Sequence, residues 1–378
     1  MSIGTVLLIV LCNMSSFRAS KVLVTLFGIE LGASQLTIGV IVATYSLLPA
    51  LLAVYAGRLS DRLGVRVPML AGSLGVTAGL LLPWLAPGLP ALYASAALIG
   101  ASHMFYNVSA QNLIGTLGSP EERTRNFSNY ALAMATGSFL GPLAAGFSID
   151  TVGHAAGYLY VAALPLVSAL VMASARKVGR GPRLKTEDEQ AVLSTSLLAI
   201  PLLRRTLIAS AVAVTAQDLF QFYMPIYGHA VGISASAIGV ILAMSGIAAF
   251  VVRVGLPVLV KRWGPDAVFN GSLLVSAVGF LLFPLFSSAP ALAAIALVLG
   301  LGMGCAQPVT LMLIFSRAPE GRSGEALGLR VTINQITHIA VPILFGTIGS
   351  VFGVAPVFLI NALILAGGGL LNRARERH

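Results

Sequence analysis

Long apolar runs, each broken by a short turn or charge signal, recur along this chain at 3–28, 36–56, 67–86, 91–115, 127–149, 155–175, 203–227, 236–260, 267–286, 291–315, 326–348 and 354–372. Each is near the ~20 residues a helix needs to cross the hydrocarbon core of a bilayer. The runs are continuously apolar, whereas barrel strands alternate over about ten residues, so the pattern predicts helices. Composition agrees: apolar residues make up 57% of the chain and charged residues 10%, far from soluble averages. The expected fold class is an all-α integral membrane protein with twelve transmembrane helices. Met1 to Val10 lacks a basic segment ahead of its apolar stretch. It therefore reads as the start of the first span rather than as a cleaved signal.

The pattern also repeats itself. The segment from Gly32 to Ile41 returns as Gly232 to Ile241, with the turn Gly, the following Ser and the Ile-Gly-Val-Ile run all kept. Pro90-Ala91-Leu92 returns as Pro290-Ala291-Leu292, Gly100 as Gly300, and Pro142 and Gly146 as Pro342 and Gly346. Four separated matches at one offset of 200 residues imply two copies of a half-protein, too long to be solenoid units. An even number of spans per copy makes the copies parallel, and duplicated halves of this kind point to a binding site where they meet. The expected organisation is two pseudo-symmetric six-helix bundles, over 1–176 and 201–378, joined by a cytoplasmic linker over 177–200.

The net charge of +10 changes the picture only through its distribution. Lys and Arg occur in the loops after even-numbered spans, such as Arg58, Arg62 and Arg66, then Arg123 and Arg125, then Lys261, Arg262, Arg317 and Arg322. The opposite loops carry Glu30, Asp150, His154 and His229, and neither Lys nor Arg. By the positive-inside rule the basic side is cytoplasmic, which puts both termini inside a cell (inner) membrane. The charge is thus a topology signal and argues against nucleic acid. Cys12 and Cys305 lie in apolar runs, which argues against a disulfide framework or a zinc site. The sequence contains no Gly-x-x-x-x-Gly-Lys, His-Glu-x-x-His or Gly-x-Ser-x-Gly, so neither an ATP-driven pump nor an enzyme is expected.

Two segments carry a resemblance. Gly57-Arg58-Leu59-Ser60-Asp61-Arg62-Leu63-Gly64-Val65-Arg66, between spans two and three, resembles the signature loop of the major facilitator superfamily, G-x-L-x-D-R-x-G-R-K. Val65 departs from the basic residue of that pattern. The expectation is a tight glycine turn and a charged cluster (Gly57, Asp61, Arg62, Gly64, Arg66) that holds helix ends together. In span five, Gly137, Gly141, Pro142 and Gly146 resemble the superfamily's antiporter motif. Glycines four apart allow close helix packing, Pro142 removes one backbone hydrogen bond, and an ordinary small-residue packing face reads the same way. The resemblance implies twelve spans, a cavity lined by spans one, four, seven and ten, and secondary active transport by alternating access. The arginine that drug–proton antiporters carry in span four would fall near Ala96 and is absent.

Charges inside the spans are the candidate chemistry. Arg18 lies twelve residues before Glu30, ~18 Å along a helix, which is near the midplane of a core ~30 Å thick. Asp218 is its repeat mate in span seven. A lone charge at that depth costs at least ~2.5–3.5 kcal/mol, so such residues face a cavity or a partner. Arg18, with Lys21, is expected to face Asp218, as a working site or as a purely structural ion pair. Gln217, Gln221, His103, Asn107, Gln307, Asn334 and His338 gather at similar depth. For each histidine a helix-to-helix hydrogen bond and a proton-carrying role both remain open. Asp218 is the first choice for proton coupling. The expected activity is proton-coupled export of a small organic solute, or proton-coupled uptake of an organic anion. The two cations favour a substrate with a carboxylate, the energy source is the proton gradient rather than a cofactor, and the functional unit is a monomer in the bilayer.

Overall fold

The computed structural model describes residues 3–117, 120–174, 195–319 and 322–373; some side chains within these, including those of 53–62, lie outside the description. Among the described residues every regular element is helical. The long helices are α1 (Ile3–Glu30), α2 (Gln35–Leu63), α3 (Arg66–Leu85), α4 (Leu89–Thr116), α5 (Pro120–Val152) and α6 (His154–Ser174). After the single turn α7 (Thr195–Leu198) come α8 (Pro201–Ala230), α9 (Ala235–Trp263), α10 (Pro265–Leu282), α11 (Ala289–Arg317), α12 (Ser323–Phe352) and α13 (Val354–Arg373). Each sequence-predicted span maps onto one of them. Ten are long and apolar enough to cross a membrane, and the apolar stretch of α13 counted in the same way, Val354–Gly369, is shorter. α4 falls outside the ten; its second half carries Ser102, His103, Asn107, Ser109 and Gln111, which lower its hydropathy.

The 200-residue repeat is written into the backbone. Among the described residues six glycines have positive φ: Gly32, Gly64 and Gly153, and then Gly232, Gly264 and Gly353. Each ends or follows a helix, where a left-handed residue turns the chain and Gly meets no Cβ penalty. At Gly32 (φ 75°) the chain leaves α1, and two residues later the Ser34 hydroxyl accepts from the Thr37 amide at 3.1 Å to cap α2. Gly232 and Ser234 repeat this at α9, where Ser234 accepts from the Ala237 amide at 3.3 Å.

The signature segment differs from its expected form. α2 continues to Leu63, so Gly57, Asp61 and Arg62 belong to its last turns, and Gly64 (φ 73°) alone makes the turn. The side chains of Asp61 and Arg62 lie outside the description. Arg66 does hold a helix end: its guanidinium donates to the Ala173 carbonyl at 2.8 Å, at the C-terminus of α6, where a cation suits the helix dipole. The predicted linker, 177–200, lies outside the description up to residue 194.

The chain divides into two compact units, Met1–Lys185 with Gly232–Ala243, and Thr186–Val231 with Met244–His378. In the first unit α3 packs on α4 and α1 on α5; in the second α10 packs on α11 and α13. One contact shows how the repeat tolerates drift. A Cβ on Gly72 of α3 would lie 2.7 Å from the Ser102 carbonyl of α4, and one on Gly302 of α11 would lie 2.7 Å from the Ser272 carbonyl of α10. The two crossings are equivalent, each needs one glycine, and the copies supply it from opposite helices.

The first turns of α9 count with the first unit because they meet the end of α5. A Cβ on Gly146 would collide with the Ala235 carbonyl, and one on Gly239 would lie 3.3 Å from the Leu143 Cα. Asp150, one turn further along α5, accepts from the Ala235 amide at 3.1 Å and the Ser236 amide at 2.8 Å. With Ser234 on Ala237, three N–H groups at the start of α9 are satisfied, two of them by an anion placed at the positive end of the helix. Replacing Asp150 with Ala removes both acceptors. The expected cost is ~1 kcal/mol, in the range of a lost N-cap, read as a lower melting temperature of the detergent-solubilised chain.

Candidate substrate and coupling site

In the first unit the polar centre is built on α1. Phe17, Arg18 and Lys21 lie within little more than one turn. The Phe17 ring stacks on the His103 imidazole of α4, centroids 4.0 Å apart and planes 9° apart. The Lys21 ammonium sits 5.2 Å from the same ring and 5.8 Å from the ring of Tyr45 on α2. Phe17 is therefore held between an ammonium and an imidazole, and the ring quadrupole favours the cation over its face. His103 is 8% exposed, which fits a packing role for its ring.

Gly141 places α5 against this centre. A Cβ there would meet the Ser15 carbonyl, the Arg18 Cβ (2.7 Å) and the Ala19 amide nitrogen (3.0 Å). Gly137, one turn earlier, approaches Met14 and the Leu11 carbonyl in the same way. The antiporter-like face thus packs directly behind Arg18. Helix α5 runs on through Pro142.

In the second unit α8 and α12 share a polar ladder. Nδ1 of His338 on α12 hydrogen-bonds the Asp218 carboxylate on α8. Eight residues before Asp218, the Ser210 hydroxyl donates to Oδ1 of Asn334, four residues before His338, at 3.3 Å and accepts from Nε of Arg330, eight residues before it, at 3.2 Å. The other end of that guanidinium donates to Oε1 of Gln307 on α11. Eight residues correspond to ~12 Å of helix. Arg330, Asn334 and His338 follow at steps of four and so share one face of α12. Gln217 and Gln221 flank Asp218, half-buried.

Sequence reasoning gathered these residues without naming these partners. It expected Arg18, with Lys21, to face Asp218; within its own unit the Asp218 carboxylate is bound to His338. It named no partner for Asn107, which accepts a hydrogen bond from Tyr130 of α5 at 2.6 Å. It also overlooked two arginines inside predicted spans. Arg253 on α9 donates to the Gly304 carbonyl at 3.1 Å, and Arg330 anchors the ladder. Arg330 was visible as a charge within 326–348, and as a change from its repeat mate Tyr130. Tyr130–Asn107 and Arg330–Gln307 are the same bond at repeat-equivalent positions, with the donor changed from a phenol to a guanidinium.

The fold and these polar centres agree with what the chain resembles. The model of the Major Facilitator Superfamily matches residues 6–336 and 206–377. Multidrug resistance protein MdtG of Enterobacter lignolyticus (strain SCF1) is 24% identical over 339 residues, 86% of this chain and 79% of its own length. The protein of the same name from Citrobacter koseri is 25% identical over 355 residues, 89% and 86% of the two chains. Among solved structures, the nucleoside transporter NupG superposes with a TM-score of 0.82 at 14% identity, covering 100% of both chains. Duplicated halves, membrane-spanning helices and charged centres inside the spans are thus joined by a match along nearly the whole chain, and this multi-pass membrane protein belongs to the major facilitator superfamily, as a secondary transporter rather than an enzyme.

Proposed function

We propose that the chain exports a small organic solute carrying a carboxylate, in exchange for protons, by alternating access. On this reading α1–α6 and α8–α13 are twelve spans in two six-helix bundles, in an inner membrane with both termini cytoplasmic. The observation that carries the coupling is the Asp218–His338 pair. A carboxylate with a neutral imidazole has one negative charge; one added proton makes the pair neutral, whichever atom holds it. An unbalanced charge deep in a span is costly, so the two protonation states favour different surroundings. Ionised Asp218 can accept a hydrogen bond from a donor on the solute, and protonation removes that acceptor. Proton and solute then compete for one carboxylate, which is the thermodynamic requirement for exchange. The small-residue face of α5 and the similarity to proteins named for multidrug resistance support the outward direction.

Uptake of an organic anion with protons is the second reading. Arg18, Lys21 and Arg330 outnumber Asp218 among the polar centres, and a proton added to a cationic site strengthens its hold on an anion. Proteoliposomes holding the full chain, with the pH gradient imposed in each direction and labelled 4-hydroxybenzoate as probe, separate the two. Exchange predicts accumulation on the acidic side, and uptake with protons predicts accumulation on the alkaline side. Equal rates with and without the gradient overturn proton coupling altogether.

A further inference from the structure

We infer that Arg330 is an anion-binding residue of the second unit, the group that takes the carboxylate of the solute. This rests on the proposed reading that the chain moves a carboxylate-bearing solute, and it names the place where that group is held.

The argument begins with what Arg330 lacks. Its bonding partners are the Ser210 hydroxyl and the Gln307 amide oxygen, both neutral. Among the described residues three arginines nearer the helix ends are matched with acids: Arg317 with Asp266, Arg322 with Glu325 and Arg125 with Glu122. Arg330 is half-buried, inside a span, and has no such match among the described residues. A guanidinium has five N–H donors in a planar fork. Nε and one terminal nitrogen are committed, and the bonds they make fix the plane of the fork between α8, α11 and α12. A fork held in place by neutral acceptors keeps its full charge and its remaining donors for a carboxylate.

The repeat shows that the charge is surplus to packing. At the equivalent position of the first unit a tyrosine makes the equivalent bond, Tyr130 to Asn107. A phenol is enough to tie these helices together there. An arginine does the same tying and adds a charge that is costly inside a span, and bringing an anion to this face balances that cost. Arg253, another arginine set within a span, donates to the Gly304 carbonyl and lies on an exposed face, so it lacks the built surroundings.

The position suits a solute that also meets Asp218. Arg330 and His338 lie on one face of α12, two turns apart, or ~12 Å along the helix. A carboxylate at Arg330 and the proton-carrying pair at Asp218 thus occupy successive stations along this face of α12.

The test compares a carboxylate with its neutral isostere. Binding of 4-hydroxybenzoate and of 4-hydroxybenzamide to the purified full chain is followed by thermal stabilisation, for wild type, Arg330→Gln, Arg330→Lys and Asp218→Asn. Wild type is expected to prefer the carboxylate. Arg330→Gln is expected to weaken it roughly 10- to 100-fold, the worth of one charge-assisted bond, and to leave the amide unchanged. Arg330→Lys restores part of the preference, which a purely structural role would not produce. An unchanged carboxylate preference in Arg330→Gln overturns the inference, as does a wild type with no preference for the carboxylate. Asp218→Asn keeps the two failures apart. If Arg330→Gln still prefers the carboxylate while Asp218→Asn loses proton-driven accumulation, the anion site is wrong and proton-coupled transport stands.

Discussion

Asp218→Asn is expected to abolish proton-driven accumulation while leaving solute exchange in the absence of a gradient. The substitution is close to isosteric. Its amide oxygen still accepts from His338, so the contact between α8 and α12 survives in shape. What is lost is the proton site. One coupled proton supports roughly tenfold accumulation per pH unit, because each unit is worth ~1.36 kcal/mol. The wild type is expected to approach that ratio in proteoliposomes across a gradient of one unit. The variant is expected to settle at a ratio near one, with counterflow of labelled against unlabelled solute retained. His338→Gln gives an intermediate result, since it keeps a donor for Asp218 but removes the second atom that can hold the proton. Gradient-driven accumulation at the wild-type ratio in Asp218→Asn would show that the coupled proton sits elsewhere.

The contrast between what the sequence disclosed and what it hid has a physical basis. Helix ends and turns are local: a Gly–x–Ser spacing encodes a left-handed turn and an N-cap within a few residues, and Gly32–Ser34 and Gly232–Ser234 both deliver it. Relative height along a helix is local too, because each residue adds a fixed rise. Partnership is not local. Asp218 and His338 are 120 residues apart, and which face of α8 meets which face of α12 depends on how every helix between them packs. Gly57 misled for the opposite reason. A glycine ahead of a charged run looks like a turn, yet the helix continues to Leu63, and Gly64 alone takes the left-handed conformation. Arg330 was hidden by its neighbourhood. It lies seven residues into α12, close in sequence to the basic residues Arg317 and Arg322, and so reads as one more positive-inside charge.

Gly141→Leu is expected to be the most damaging single change in the first unit. The prediction follows from what surrounds the missing Cβ: the Ser15 carbonyl, the Arg18 Cβ at 2.7 Å and the Ala19 amide nitrogen at 3.0 Å. Two of these three are backbone atoms of α1, so relief requires the helix itself to move. Overpacking of this kind costs typically 1–3 kcal/mol and occasionally more, and here it displaces α1 at half-buried Arg18. Gly141→Ala should show a smaller loss in the same direction, and Gly141→Leu should lower the melting temperature and also eliminate transport. Gly255 is the matching control. It lies inside α9 with nothing within 4 Å of its would-be Cβ, so Gly255→Ala should be neutral or stabilising by up to ~1 kcal/mol through helix propensity alone. If Gly141→Leu melts and transports like the wild type, α5 does not press on α1 at Arg18, and the small-residue face has no part in positioning that charge. If only transport is lost, the contact matters for movement of α1 rather than for folding. That result would make the antiporter-like face part of the transport cycle rather than a packing surface.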